Sequence, residues 1–227
     1  MGKNINTGSS LDELFLDFIF ENTIRSPKSD LRFDYVDDLW KKLTKTLNHK
    51  EVTQVTTTRK FAEAMKYTHS GLSSSEYFLH PLRVGSISGI TNPAARVTSS
   101  QIGLLHNVYE VTSVKSSEIS KKFGSEVNYV ISSLTINRKL QSNLTYLTDY
   151  YGVIASLPNK LGIVKVVDKL DNLFSLNNTA NSEIKEKYLQ EIISFVIPLC
   201  DFVSPHLSKL LKNVAEWVKL GNRREQT

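Results

Sequence analysis

The sequence predicts an all-α protein, a helical bundle with an extra N-terminal helical segment. Apolar residues recur mainly at spacings of three and four, and few stretches alternate strictly as a half-buried strand would. Six prolines and ten glycines are few for 227 residues, so helix-breaking positions are sparse. The chain contains no internal repeat and no long linker. We therefore expect one large helical domain, or one domain with an appended helical piece.

The N-terminal part of the chain predicts two helices ahead of the main bundle. The first covers Leu11–Phe20, and the segment "RSPKSD" at 25–30 ends it. The second covers Tyr35–Leu47. We expect residues 1–50 to form a helical extension packed on the core, and residues 51–227 to form the main helical domain.

The next segments predict three helices. The first extends from about Thr58 to His69, and Gly71 ends it. A serine-rich turn follows, and then a helix whose first turn carries Pro81. The third begins at a capping-box pattern, Thr98 to Gln101, and continues through "GLLHNVYEVT" at 103–112.

The rest of the chain predicts shorter helices separated by glycine and proline. Gly124 divides "SSEISKKFGSEVNYVISSLT" into two helices, and Pro158 separates "NLTYLTDYYGVIASL" from "LGIVKVVDKLDNLFSL". Residues 183–220 supply one or two further helices around Pro198 and Pro205.

Composition narrows the classes of function. No apolar run reaches the roughly 18 residues of a membrane span, and the start "MGKNINTGSS" lacks the apolar stretch of a secretion signal, so we expect a cytoplasmic protein. Cys200 is the only cysteine, which excludes an intrachain disulfide and a cysteine-based metal site. The net charge is +5 with a pI of about 9.1, but the basic residues are dispersed. This balance fits an anionic small molecule and gives only weak support to nucleic-acid binding.

Polar side chains interrupt several of the apolar helical patterns. His80, His106 and Asp168 come from three separate predicted helices, and histidine nitrogens with carboxylate oxygens are what a bundle needs to hold a divalent metal inside. Asn107, next to His106, offers an amide oxygen as a weaker ligand. These four residues form the predicted metal site.

Two more residues stand one helical turn from the predicted ligands. Glu110 follows His106 by four positions, so on one helix it would share its face and could deprotonate a bound water. Asn172 follows Asp168 by four positions and could bind a ligand or support Asp168. Taken singly, each has an ordinary explanation: His106 as a core histidine, Glu110 as a solvated residue and Asn172 as a bridge between helices.

Four stretches together resemble a known family. "YFLHPLRVGSI", "IGLLHNVYEVT", "ISKKFGSEVNYVISSLT" and "VKVVDKLDNLFSL" follow the order of the hydrolase domain of RelA/SpoT-type proteins, which belong to the HD phosphohydrolases. The resemblance covers roughly residues 58–180. It implies an all-helical, manganese-dependent hydrolase that removes the 3′-pyrophosphate from guanosine tetra- and pentaphosphate.

The resemblance also implies roles for single residues. His80, His106 and Asp168 match three of the family's four metal ligands. Glu110 matches the first acid of its catalytic Glu-Asp pair, and Asn172 matches the asparagine of its substrate pocket.

The chain departs from the family pattern at three places. Asn107 replaces the aspartate of the His-Asp motif, Val111 replaces the second acid, and no Lys or Arg lies between His69 and His80, where the family uses basic residues around the phosphates. Loss of a charged ligand weakens binding of a hard divalent cation.

Three functions remain open at this point. The first is a metal-dependent pyrophosphohydrolase with a modified site, acting on a nucleotide or another anionic small molecule. The second is a catalytically inactive HD-domain protein that serves as a regulatory or protein-binding module. The third is a nucleic-acid-binding helical protein, which depends on the pI alone. The sequence does not indicate an oligomeric state.

Overall fold

The protein is described here by a computed structural model that covers residues 34–176 and 181–224, and within these ranges it is helical without a β-strand. The all-α prediction is confirmed. The α-helices of this part are, in chain order, α1 Asp34–Lys45, α2 His49–Glu63, α3 Ser74–Thr91, α4 Arg96–Leu105, α5 Val108–Val111, α6 Ser116–Phe123, α7 Ser125–Leu134, α8 Leu144–Ala155, α9 Ile163–Leu176, α10 Ser182–Glu191, α11 Ile197–Val203 and α12 Pro205–Arg224. Short 3-10 segments lie at Pro93–Ala95, Arg138–Leu140 and Pro158–Lys160, and a π-helical segment at Ile192–Val196 joins α10 to α11.

Helices α3, α4 and α9 form the centre of the bundle. A Cβ atom added to Gly103 of α4 would lie 2.6 Å from the Cα of Gly85 in α3, so the two backbones are in direct contact. Helix α9 packs on α3, α4, α11 and α12, and every residue from 161 to 171 is buried. Polar side chains on α9 are therefore enclosed by protein and need partners there.

Two helix starts differ from the predicted ones because a better cap lies earlier in the chain. Helix α2 begins at His49, where Asn48 and Glu51 form a capping box, and it ends at Glu63 instead of continuing to His69. Helix α3 begins after Ser73, which forms a second capping box with Glu76. Pro81 consequently lies well inside α3 and not in its first turn.

The predicted continuous helix across residues 103–112 is wrong. Helix α4 ends at Leu105, His106 and Asn107 form a turn, and the chain becomes helical again only for the single turn of α5. The predicted capping pair Thr98 and Gln101 also lies inside α4, which begins two residues before Thr98. His106 and Glu110 therefore do not share the face of one helix.

The predicted breaks at Gly124, Pro158 and Pro205 agree with the structure, whereas residues 183–220 hold three α-helices, α10, α11 and α12, and not one or two. Gly124 separates α6 from α7 at a φ of 95°, a backbone conformation that favours glycine. Pro158 lies between α8 and α9, and Pro205 begins α12. None of the described helices combines the length and apolarity needed to cross a membrane.

The N-terminal layer is only partly described. Helix α1 agrees with the predicted helix at Tyr35–Leu47 and packs on α3, where Val36, Leu39 and Leu43 are buried. The predicted helix Leu11–Phe20 lies outside the described residues. The division of the chain at residue 50 stays a prediction.

Candidate metal centre

Three of the predicted ligands meet at one point between α3, α4 and α9. The Nε2 atoms of His80 and His106 are 3.2 Å apart, and Asp168 Oδ1 lies 3.3 Å from the first and 3.5 Å from the second. The two histidines come from α3 and from the turn after α4, and Asp168 comes from α9. Tertiary packing thus brings together residues that are separated by up to 88 positions in the chain.

Hydrogen bonds fix which nitrogen of each imidazole points at the centre. His106 Nδ1 lies 2.8 Å from the carbonyl oxygen of Gly103, and His80 Nδ1 lies 2.7 Å from Asp171 Oδ2. Both partners are acceptors, so each Nδ1 carries the proton and each neutral ring turns the lone pair of Nε2 toward the centre. Two lone pairs and a carboxylate oxygen at these distances need a positive charge among them, either a proton or a metal ion.

The pKa values show how the protein holds this charge without a metal ion. Burial disfavours the charged form of His80, but hydrogen bonds with Asp168 and Asp171 outweigh it and raise the pKa of His80 to about 9. Burial would also raise the pKa of Asp168. The Lys165 ammonium and the hydrogen bonds from both histidines instead hold that pKa well below its usual range. Asp168 is therefore an anion at neutral pH.

Both carboxylates of α9 have a cationic partner from the protein. Lys165 Nζ donates to Asp168 Oδ2 at 2.8 Å, and Arg83 donates to both oxygens of Asp171 at 2.6 and 2.9 Å. Asn172 Nδ2 donates to Asp168 Oδ1 at 2.7 Å. Asn172 therefore contacts one of the predicted metal ligands, and its substrate-binding role stays a prediction.

The side-chain amide of Asn107 has a hydrogen-bond partner at its nitrogen but none at its oxygen. Its Nδ2 donates to the hydroxyl of Tyr77 at 2.6 Å, while its Oδ1 is buried and accepts no hydrogen bond from the described residues. A buried carbonyl oxygen without a partner costs about 1–3 kcal/mol, so it indicates a missing group such as a cation. Asn107 follows His106 in the sequence, and His106 is one of the three clustered side chains.

Glu110 lies near the cluster but is held by other residues. Arg138 donates to its Oε2 through Nε at 3.3 Å and Nη2 at 3.0 Å, and the backbone N–H of Ile136 lies 3.4 Å from its Oε1. Its side chain is only 12% exposed. Burial and the charges of Asp168 and Glu110 raise the pKa of Tyr77 to about 12, so the Tyr77 hydroxyl lies within electrostatic range of both acids.

The residues present fit a divalent metal ion. Donor atoms 3.2–3.5 Å apart have the spacing of neighbouring ligands around one ion with bonds of about 2.0–2.4 Å. The two inward lone pairs and the ionised Asp168 make a mixed nitrogen and oxygen set, which suits metals such as Mn²⁺ and Zn²⁺. The unsatisfied oxygen of Asn107 is a candidate fourth donor.

Sequence reasoning missed several side chains that complete the site: Tyr77, Arg83, Arg138, Lys165 and Asp171. A usable signal existed for two of them, because Lys165 and Asp171 lie three positions before and after Asp168 on a helix that is mostly apolar. No local pattern pointed to Arg138, which reaches Glu110 from 28 positions away.

Comparison with known proteins supports the fold. No protein-family model and no curated protein matches the sequence. Among solved structures, one similar chain is a metazoan ortholog of SpoT that hydrolyses ppGpp and plays a role in starvation responses. It aligns with a TM-score of 0.58 and 18% identity over 75% of this chain and 96% of its own length. The described part of the protein therefore has the all-α, HD-domain-like fold of that structure, and within it His80, His106 and Asp168 form a group that could hold a metal ion.

Proposed function

We propose that the protein is a metal-dependent phosphohydrolase that removes pyrophosphate from a nucleotide of the ppGpp type, at a modified HD site. One observation carries the proposal: the Nε2 atoms of His80 and His106 and the Asp168 carboxylate face one position, and Asn107, next to His106 in the sequence, has a buried oxygen without a hydrogen-bond partner. The fold, shared with a SpoT ortholog that hydrolyses ppGpp, supports the substrate class.

The residues that would hold the ion are His80, His106, Asn107 and Asp168, and Mn²⁺ is the metal we propose. Such an ion supplies activation of a water molecule and neutralisation of charge at the phosphorus under attack. His80 and His106 bind through Nε2 and must be unprotonated there. Asn172 and Lys165 keep the Asp168 carboxylate oriented through their hydrogen bonds.

Glu110 is the candidate general base. Arg138 engages its Oε2, whereas Oε1 faces only a long contact with the Ile136 N–H, so Oε1 is the atom left to accept a proton from the attacking water. Attack on phosphorus breaks the bond to the 3′-oxygen of the nucleotide, which leaves as the alcohol while pyrophosphate is released.

An anionic substrate needs cations at the mouth of the site. The segment between His69 and His80 contains none, but Arg138 lies beside Glu110 with a side chain that is 71% exposed. We propose that Arg138 binds a substrate phosphate. It would thereby replace part of the binding that basic residues between His69 and His80 would provide. Guanidinium groups suit this role because they contact phosphate oxygens in pairs.

The test is hydrolysis of ppGpp by the purified protein with and without Mn²⁺, with release of pyrophosphate as the readout. We expect Mn²⁺-dependent release, loss of at least about a hundredfold in Glu110→Gln, and no loss in Glu118→Gln, an exposed glutamate on α6. Elemental analysis of the purified protein reports the metal directly. Absence of hydrolysis together with absence of bound metal would contradict the proposal.

One observation favours a second candidate function, an inactive HD-domain module with a regulatory or protein-binding role. Asp168 and Asp171 are already neutralised by Lys165 and Arg83, and Asn107 adds no charge, so little net negative charge remains to attract a divalent cation. A protein that folds and melts identically with and without Mn²⁺ would support this candidate.

A further inference from the structure

The hydrogen bond between Asn107 and Tyr77 leaves one proton without an acceptor. Asn107 Nδ2 is the donor to the Tyr77 hydroxyl oxygen at 2.6 Å. The phenol O–H is itself a donor. Within residues 34–176 and 181–224, no hydrogen bond donated by this hydroxyl is found. Its proton is therefore available to a group that enters the site.

The hydroxyl is placed where such a group would arrive. The Tyr77 ring packs edge-on against His80, with ring centroids 6.4 Å apart, and stacks on Tyr67 on its other side. The ring is thus fixed beside the cluster. Its hydroxyl is next to Asn107, whose unsatisfied oxygen belongs to the proposed ligand set.

This arrangement depends on an amide at position 107. A carboxylate has no N–H and can only accept hydrogen bonds, so an aspartate there would take the phenol proton for itself. An asparagine reverses the direction of the bond, because its N–H donates to the phenol oxygen. Compared with an aspartate, Asn107 therefore removes a negative charge from the site and also leaves the Tyr77 O–H able to donate a hydrogen bond to another group.

We propose that Tyr77 is a phosphate-binding residue of this chain, and that Asn107 makes it one by donating to its hydroxyl oxygen. The inference rests on the proposed phosphohydrolase function and adds a specific contact to it. The ligand class is a pyrophosphate or nucleotide phosphate, whose oxygens accept hydrogen bonds from neutral phenols as well as from cations.

The test is a double-mutant cycle with manganese pyrophosphate as the probe, titrated calorimetrically into Tyr77→Phe, Asn107→Asp and the double variant. Phenylalanine keeps the ring and removes only the hydroxyl. We expect Tyr77→Phe to weaken binding about tenfold in the native background, the usual worth of a hydrogen bond to a charged group, and by about twofold or less in the Asn107→Asp background. Tyr67→Phe is the matched control, because the Tyr67 hydroxyl is turned away and donates to the Ala62 carbonyl.

Each outcome decides the inference. Equal weakening in both backgrounds would mean that the Tyr77 hydroxyl acts independently of Asn107, and no weakening would mean that it does not touch the phosphate; both results overturn the inference. So does a native protein that binds no manganese pyrophosphate. Coupling between positions 77 and 107 in a protein that hydrolyses nothing would support the inference and contradict the proposed hydrolase function.

Discussion

The Nε2 atoms of His80 and His106 face each other across 3.2 Å, while each Nδ1 is committed to an acceptor, Asp171 for His80 and the Gly103 carbonyl for His106. This pairing places two lone pairs against each other inside the protein. Such an arrangement is stable when a cation or a proton lies between the rings. Whether a metal ion takes that position distinguishes the two proposed functions, a metal-dependent enzyme and a non-catalytic module.

Mn²⁺ should therefore stabilise the native protein, and His106→Ala should remove the effect. At a hundredfold excess over Kd, a ligand that binds only the folded state adds about 2.7 kcal/mol, which raises the Tm of a chain of this size by about 5–10 °C. Melting curves with and without Mn²⁺ measure it. His206→Ala, an exposed histidine of α12, is the control and should respond to Mn²⁺ as the native protein does. A native protein whose Tm is the same with and without Mn²⁺ would contradict the metal site.

Asn107→Asp should tighten Mn²⁺ binding by about tenfold or more, because a carboxylate adds a full negative charge at coordination distance where an amide offers only a dipole. A manganese titration of the variant and the native protein measures the difference. If the site holds no metal, the new carboxylate becomes a buried charge without a cationic partner, and the free energy of unfolding should fall by about 1–3 kcal/mol or more. A variant that is destabilised and does not respond to Mn²⁺ would leave the metal site without support.

Arg138→Ala should raise KM for an anionic nucleotide more than it lowers kcat, because Arg138 is assigned to the phosphates and not to the reacting bond. Its side chain is 71% exposed, so stability should change by no more than about 1 kcal/mol. Lys139→Ala, the exposed neighbour, is the matched control. Equal kinetics in the two variants would show that Arg138 has no special contact with the substrate.

Glu191→Gln should destabilise the protein at neutral pH, since it breaks a buried ion pair. Lys169 Nζ lies 2.7 Å from Glu191 Oε1, and Tyr151 donates to the same oxygen at 2.6 Å. Breaking a buried pair costs about 3 kcal/mol or more. Glu183→Gln, in an exposed pair with Lys187, should cost little.

The cost of Glu191→Gln should also depend on pH. Burial would raise the pKa of Glu191, but Lys169 and the hydrogen bonds from Tyr151 and Gln141 hold it below the ordinary value of 4.5. A carboxyl with a lowered folded-state pKa contributes stability above its unfolded pKa and loses it as pH falls through the folded one. The difference in Tm between native protein and variant should therefore be largest near pH 7 and shrink below about pH 4.5. A difference that is constant with pH would contradict the ion pair.

The sequence by itself determined the helical class, the breaks at Gly124 and Pro158, and the residue types of the candidate site. These features are local: the spacing of apolar residues sets the helical period, and glycine and proline act on their own backbone. His80, His106 and Asp168 could be selected because charged and polar groups on apolar helices need hydrogen-bonding or ionic partners, even when the sequence does not identify those partners.

Tertiary structure decided which partners each side chain has, and it changed the interpretation of residues 103–112. The chain turns at His106 and Asn107, where the His106 imidazole faces His80 and Asp168, while Glu110 in the next helical turn pairs with Arg138. The ion pair Arg83–Asp171 and the bond from Asn107 to Tyr77 join elements brought together by the direct contact of Gly85 with Gly103 and by the enclosed helix α9. Such contacts depend on distances in space, and spacing along the chain does not encode them.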